Sequence, residues 1–208
     1  GNDSSQQFHS NQQLGQSSAP LIGDGAAEGG SFTEFCVKLF PPVFYPQDDV
    51  RVDRIIVASE LVRRKFVEGG FPEERICLKP NVVPLLPEGG AGERERRAIY
   101  VGRLSADKGV ELMVEAWVRY GLEIPLEIVG SGPLEAKLRE KAQAAPAISF
   151  SGRLPVEEAC RAMGRAELLL LPTQWYETFG RTVLEAYAMG TAVISSRGTA
   201  PGDLVREG

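Results

Sequence analysis

The stretch AIYVGRLSADKGVELMVEAWVRYGLEIPLEIVGSGP, from Ala98 to Pro133, decides how the rest of the chain is read. Residues 98–101 are a short apolar run ended by Gly102, the form of a buried strand. From 109 to 120 the spacing changes, and Val110, Met113, Val114 and Trp117 recur on one helical face. Leu126–Val129 is again a short apolar run, followed by the turn Gly130-Ser131-Gly132-Pro133. One strand, one amphipathic helix and a second strand therefore occupy 36 residues.

The rhythm continues downstream. Residues 134–144 read as a helix, 148–151 as a strand, 156–163 as a helix and 168–171 as a strand. A helix over 181–189, with a core face of Val183, Leu184, Tyr187 and Ala188, precedes the strand Ala192–Ser195, and a last helix begins near Pro201. Short apolar strands alternating with amphipathic helices predict an α/β domain built on a doubly wound parallel sheet.

Upstream, residues 54–58 read as a buried strand. Ser59 can cap a helix with Leu61, Val62, Phe66 and Val67 on one face and Gly69-Gly70 at its end. A second apolar run, Ile76-Cys77-Leu78, leads to Pro80-Asn81, and residues 82–92 are Pro/Gly-rich like a linker. Residues 1–30 are dominated by Gln, Ser, Asn and Gly and hold too little apolar surface to offset ordering entropy. Residues 31–50 carry five aromatics and three prolines without periodicity. Three segments are expected: 1–50, disordered or foreign; 51–92, the end of a first domain and a linker; and 93–208, a ligand-binding domain incomplete at its end.

Composition excludes several classes of function. A net charge of -5 and an isoelectric point near 5.1 oppose nucleic-acid binding, which needs a clustered basic surface. The clusters at Arg63-Arg64-Lys65 and 94–97 read as solvated helix and linker charge. Cys36, Cys77 and Cys160 form no paired motif, which points to a reducing compartment and a cytoplasmic setting. The sole histidine, His9, lies in the polar tail, so a histidine base and a histidine metal ligand are excluded from the folded part. No apolar run spans a membrane and no signal peptide is visible, while the opening Gly is expected of a fragment.

In doubly wound folds ligands bind beyond the carboxyl ends of the strands, so the loops that follow each strand hold the candidate site. In residues 102–109, Arg103 leaves a strand and Lys108 opens a helix, where a cation opposes the helix dipole unless a bound anion faces it. An Arg103–Asp107 pair with a solvated Lys108 reads the same residues structurally. The turn from Gly130 to Pro133 lacks the third glycine of a dinucleotide fingerprint, since position 135 is Glu135. Pro133 at a first helical position explains it, and a backbone role beside a nucleotide stays open. In residues 172–186, Glu177 lies in the loop, Phe179-Gly180 open a helix, and Glu185 falls one turn beyond Arg181. Two carboxylates there can accept hydrogen bonds from sugar hydroxyls, with the N–H groups of Phe179, Gly180 and Arg181 free to hold phosphate between them. Glycine at 180 would let a ligand approach the backbone. A surface Arg181–Glu185 pair is the plain alternative. Trp175 and Tyr176 read as props for this loop.

E-x7-E from Glu177 to Glu185, set in Glu-Thr-Phe-Gly-x4-Glu-Ala, resembles the signature of the retaining glycosyltransferases of family 4, which have the GT-B fold. Ala58-Ser59-Glu60, Lys79-Pro80-Asn81, Val101-Gly102-Arg103-Leu104, Lys108-Gly109, Ile128-Val129-Gly130-x-Gly132-Pro133, Phe150-x-Gly152 and Gly190-Thr191-Ala192-Val193-Ile194 agree in order, from about Val52 to the last residue. The usual glycine-rich turn followed by Glu is here Arg197-Gly198-Thr199-Ala200-Pro201-Gly202-Asp203, a departure.

The resemblance implies that Gly102, Arg103 and Lys108 bind the donor diphosphate and that Glu177 and Thr178 meet the transferred sugar, with backbone help from Phe179 and Gly180. Glu185 would hold the ribose, while Gly130 and the backbone of Arg153-Leu154 would face the nucleotide. Glu177, Arg103 and Lys108 are the implied catalytic residues. It further implies a UDP-, GDP- or ADP-sugar donor, a glycan, lipid or small-molecule acceptor, no cofactor or bound metal, and peripheral membrane association through another domain. This chain would supply the donor half alone, binding donor weakly and transferring nothing. The competing expectations are a binding module without catalysis and a GT-B sugar-nucleotide epimerase.

Overall fold

The computed structural model describes residues 53–83 and 93–205. The expectations for residues 1–50 and for the greater part of the 82–92 linker concern residues outside those described. In chain order the elements are β1 (Ile55–Val57), α1 (Glu60–Glu68), β2 (Ile76–Leu78), β3 (Glu95–Val101), α2 (Val110–Tyr120), β4 (Leu126–Val129) and α3 (Glu135–Ala142). There follow β5 (Ile148–Gly152), α4 (Val156–Arg165), β6 (Ala166–Leu171), α5 (Arg181–Ala188), β7 (Ala192–Ser195) and α6 (Ala200–Leu204). Single 3-10 turns occupy Glu73–Arg75 and Ala106–Lys108.

Five strands form one parallel sheet in the order β5-β4-β3-β6-β7. The alternation of side chains along β3 divides the core into two layers. Ala98 and Tyr100 pack with Val110, Met113, Val114 and Trp117 of α2 and Leu138 of α3. Ile99 points the other way, to Ala159, Cys160 and Met163 of α4 and Val183 and Ala186 of α5. Helices therefore cover both faces, as the near-continuous apolar strands require. From β3 the chain winds outward through β4 and β5, then crosses back to β6 and β7 on the other side. The strand order reverses between β3 and β6, so the loops after these two strands flank the place where doubly wound sheets bind their ligands.

A separate two-stranded parallel sheet, β1 with β2, packs against α1 through Val57, Val62, Phe66 and Ile76. Ser59 accepts from the Val62 N–H, as its position ahead of the helix predicts. The helix ends at Gly69, where the Phe71 N–H reaches back to the Phe66 carbonyl at 3.0 Å. Arg64 of α1 meets Asp203 of α6 at 2.9 Å, joining this unit to the large sheet. Lys65 and Arg63 pair with Glu68, Glu60 and Glu73, so this basic run is solvated helix charge.

Three local expectations need correcting. Val67 is 40% exposed, because the buried stripe of α1 is Leu61, Val62 and Phe66. Pro133 lies in a turn ahead of α3, two residues before its first residue, so it is not the first helical position. On α5 the buried positions are Val183 and Ala186, with Tyr187 42% exposed and Ala188 exposed.

Candidate functional site: the crevice between β3 and β6

The loop after β3 is pinned from below. Leu104 is fully buried on the α2 side of the sheet, with Tyr100 the penultimate residue of β3. Between these two pegs Gly102 and Arg103 stand at the surface, and the Arg103 side chain is exposed. The Gly102 N–H donates to the Val129 carbonyl and the Leu104 N–H to the Ser131 carbonyl, both at 3.0 Å. The Leu134 N–H returns to the Leu104 carbonyl at 3.0 Å, and the Gly130 N–H binds the Gly152 carbonyl at 2.7 Å. Backbone hydrogen bonds therefore stitch the loops after β3, β4 and β5 side by side.

Along this seam runs a cleft of about 460 Å³ lined by Gly102, Arg103, Gly130, Ser131, Arg153 and Leu154, with Val101, Val129 and Ala159 toward its floor. Five residues singled out from the sequence, Gly102, Arg103, Gly130, Arg153 and Leu154, thus share one cavity. At Gly130 a Cβ would sit 1.9 Å from the Gly102 carbonyl oxygen, so this glycine is needed where chain meets chain in the wall of the cleft.

Lys108 and Glu177 meet on the opposite flank of the loop, Nζ to Oε1 at 3.2 Å, each side chain about a quarter exposed. They come from the loops after β3 and β6, which the Gln174 N–H ties together by donating to the Asp107 carbonyl at 3.1 Å. The structural alternative of an Arg103–Asp107 pair with a solvated Lys108 is overturned. Arg103 forms no ion pair among the described residues, and Lys108 is paired with Glu177.

Beyond Glu177, Thr178 is exposed, Phe179 is 4% exposed, and Gly180 caps α5 with φ +87°. A Cβ at Gly180 would lie 2.6 Å from the Pro201 ring, so packing against α6 also calls for a glycine at this position. Helix α5 has no side-chain cap and no acidic residue in its first turn, which leaves its positive end to its surroundings. Glu185 does pair with Arg181 at 3.3 Å, as the plain reading had it, yet its side chain is only 14% exposed against 54% for Arg181. It lies close enough to Cys160 of α4, the neighbour of Ala159 in the cleft floor, to help burial push that thiol upward. Tyr176 packs against the Val57–Phe66 cluster with Lys65 Nζ 5.5 Å from its ring, so it props the Glu177 loop on α1 as expected. In the departing segment, Asp203 is engaged by Arg64.

Tyr100 and Glu127 were not singled out from the sequence, and Arg97, read there as solvated linker charge, is instead a strand residue with a side chain only 13% exposed. Tyr100 donates its hydroxyl to the Arg103 carbonyl at 2.8 Å, and burial with the nearby Asp107 and Glu177 charges raises its pKa well above the usual phenol value. Arg97 and Glu127 make a largely buried pair across β3 and β4, with Arg97 also reaching the Ala162 carbonyl of α4 at 3.3 Å. A tyrosine inside an apolar strand and a lone glutamate in another were the available signals. Among the described residues no group of three or more His, Cys, Asp or Glu could hold a metal ion, and no helix is long and apolar enough to cross a membrane.

The strand order, with its reversal between β3 and β6, and the stitched loops define a domain of the doubly wound α/β class. The family model described as glycosyl transferases group 1 matches residues 86–208, and the chain belongs to that family. It is 38% identical over 109 residues to a GDP-mannose-dependent alpha-mannosyltransferase of Corynebacterium glutamicum, covering 52% of this chain and 25% of that protein. It is 33% identical over 111 residues to a GDP-mannose-dependent alpha-(1-6)-phosphatidylinositol dimannoside mannosyltransferase of Mycobacterium tuberculosis, covering 51% and 29%. The chain thus matches about a quarter of the length of these relatives. In fold it is similar to the lipopolysaccharide outer core galactosyltransferase WaaB, with TM-score 0.63 and 22% identity over 75% of this chain and 46% of that one. It is likewise similar to Anabaena HepE in complex with UDP and glucose, with TM-score 0.61 and 16% identity over 76% and 48%. These likenesses place the GT-B architecture on the chain.

Proposed function

We propose that this chain supplies the donor-binding half of a retaining, metal-independent glycosyltransferase of family 4, using a nucleoside-diphosphate sugar. The observation that carries the reading is the meeting of the loops after β3 and β6, which pairs Lys108 with Glu177 on one flank of the loop whose Arg103 lines the 460 Å³ cleft on the other. The nucleoside lies in that cleft against the backbone of Gly130, Arg153 and Leu154, with Glu185 on the ribose. The diphosphate meets Arg103, Lys108 and the open end of α5, while Glu177, Thr178 and the backbone of Phe179 and Gly180 take the sugar. Positioned cations then offset the negative charge that grows on the leaving diphosphate. Lys108 and Glu177 hold each other in place at 3.2 Å, and donor binding divides them between phosphate and sugar hydroxyls.

Residues 51–92 complete an acceptor domain and its linker, 93–208 bind donor, and transfer takes place in the whole protein. Its acceptor is a glycan, lipid or small molecule, and its setting is cytoplasmic or at the inner face of a membrane. The two mannosyltransferase relatives make GDP-mannose the first donor to try. Calorimetry of the chain with GDP-mannose, UDP-glucose and ADP-glucose tests the reading. One of the three should bind, and Arg103→Ala should weaken it at least tenfold, about the value of one charge-assisted hydrogen bond. Binding that ignores Arg103→Ala and Lys108→Met would refute the site.

A further inference from the structure

We infer that Tyr100 is a positioning residue for the anion-binding loop, its hydroxyl holding the Arg103 carbonyl beneath the loop so that the Arg103 side chain is aimed at the cleft. The inference rests on the donor-site reading above and adds to it a residue that touches no ligand.

Tyr100 is 1% exposed and lies in the α2 layer of the core among Ala98, Leu104 and Val110. A phenylalanine would satisfy that layer. The added oxygen needs a partner once buried, and it has one, the Arg103 carbonyl at 2.8 Å. The Ser105 N–H donates to the same carbonyl at 3.1 Å. Two donors thus draw this oxygen inward, and the negative end of the peptide dipole turns away from the place where phosphate would sit. The 103–104 peptide is held at both ends, its Leu104 N–H on the Ser131 carbonyl and its Arg103 carbonyl by the Ser105 N–H and the Tyr100 hydroxyl, and Tyr100 supplies the one side chain in that set. Gly102 admits this arrangement, because a Cβ there would sit 2.9 Å from the Tyr100 oxygen. Burial and the Asp107 and Glu177 charges keep the phenol protonated, and so a donor, across the physiological range.

Tyr100→Phe deletes one oxygen and leaves the ring. With GDP and UDP as probes, affinity of the full chain for the better of the two should fall about fivefold, the net worth of one neutral hydrogen bond. Affinity for guanosine or uridine, followed by chemical-shift titration, should stay the same. In an Arg103→Ala background the same substitution should change diphosphate affinity by less than twofold, since the group it positions is gone. A parallel loss for nucleoside and diphosphate would mean general loosening and overturn the inference, as would an undiminished diphosphate affinity in Tyr100→Phe. Failure of the unsubstituted chain to bind either diphosphate would instead overturn the donor reading, and the inference with it.

Discussion

Gly109 is the point at which the two loops of the crevice touch, and its replacement by alanine puts that contact to a quantitative test. Its φ is +64°, and a Cβ there would stand 1.9 Å from the Pro172 carbonyl oxygen and 2.8 Å from the carbonyl carbon, far inside the 3.4 Å where ordinary contact begins. The left-handed backbone alone costs an alanine about 1 kcal/mol. Forcing apart packed backbone adds about 1–3 kcal/mol, so the sum is roughly 2–4 kcal/mol. At about 4 °C per kcal/mol for a domain of this size, the thermal midpoint should fall by roughly 8–16 °C. Gly121 provides the control, with φ +57° and nothing within 4 Å of its Cβ position. Gly121→Ala carries the backbone strain without the collision and should lower the midpoint by about 4 °C. Urea denaturation of both variants gives the difference directly. Separation of the loops should also remove Lys108 from Glu177, so Gly109→Ala should lose nucleoside diphosphate affinity that Gly121→Ala keeps. Equal destabilisation by the two substitutions would show that the loops do not touch at Gly109, and the geometry of the crevice would be refuted.

Two further outcomes follow from the polar groups of the sheet. Arg97 and Glu127 have side chains 13% and 12% exposed, and Glu95 is a second, more exposed partner of Arg97 at 3.2 Å, so Glu127→Gln should cost about 2 kcal/mol in urea denaturation, less than a buried guanidinium left wholly unpaired; a loss below about 1 kcal/mol would mark an ordinary surface pair. Tyr100 keeps its proton in the fold at pH values where the unfolded phenol, near 10, has lost it. Stability should therefore be indifferent to this group below about pH 9 and fall above pH 10 by up to about 1.4 kcal/mol per pH unit more than in Tyr100→Phe; identical alkaline slopes for the two proteins would contradict the burial of the hydroxyl.

Much of the fold was legible because the relevant forces are local. The apolar runs Leu126–Val129 and Ala192–Ser195 and the helical spacing of Val110, Met113, Val114 and Trp117 record burial of a strand or one helix face, and these elements stand where the periodicity put them. The charged loops were likewise visible as residues that no core could use. On α5 the reading failed in detail, since Leu184, Tyr187 and Ala188 are apolar enough to pass for a core stripe, and only the packing partner on α4 selects Val183 and Ala186.

From the sequence alone came the kind of each element, the alternation that demands a parallel sheet covered on two faces, and the loops able to bear charge. The tertiary structure decided which loops become neighbours. Strand order depends on crossovers and on filling both faces of the sheet, which are long-range properties with no period in the sequence. That order sets the loop of Lys108 beside the loop of Glu177, 69 positions apart, and lays Gly130 against Gly102. At Gly130 and Gly180 another part of the chain comes too close for a side chain, a reason for glycine that no local pattern carries. The buried Tyr100 hydroxyl belongs with these, because a phenol in an apolar strand acquires a role only when the next loop folds a carbonyl over it.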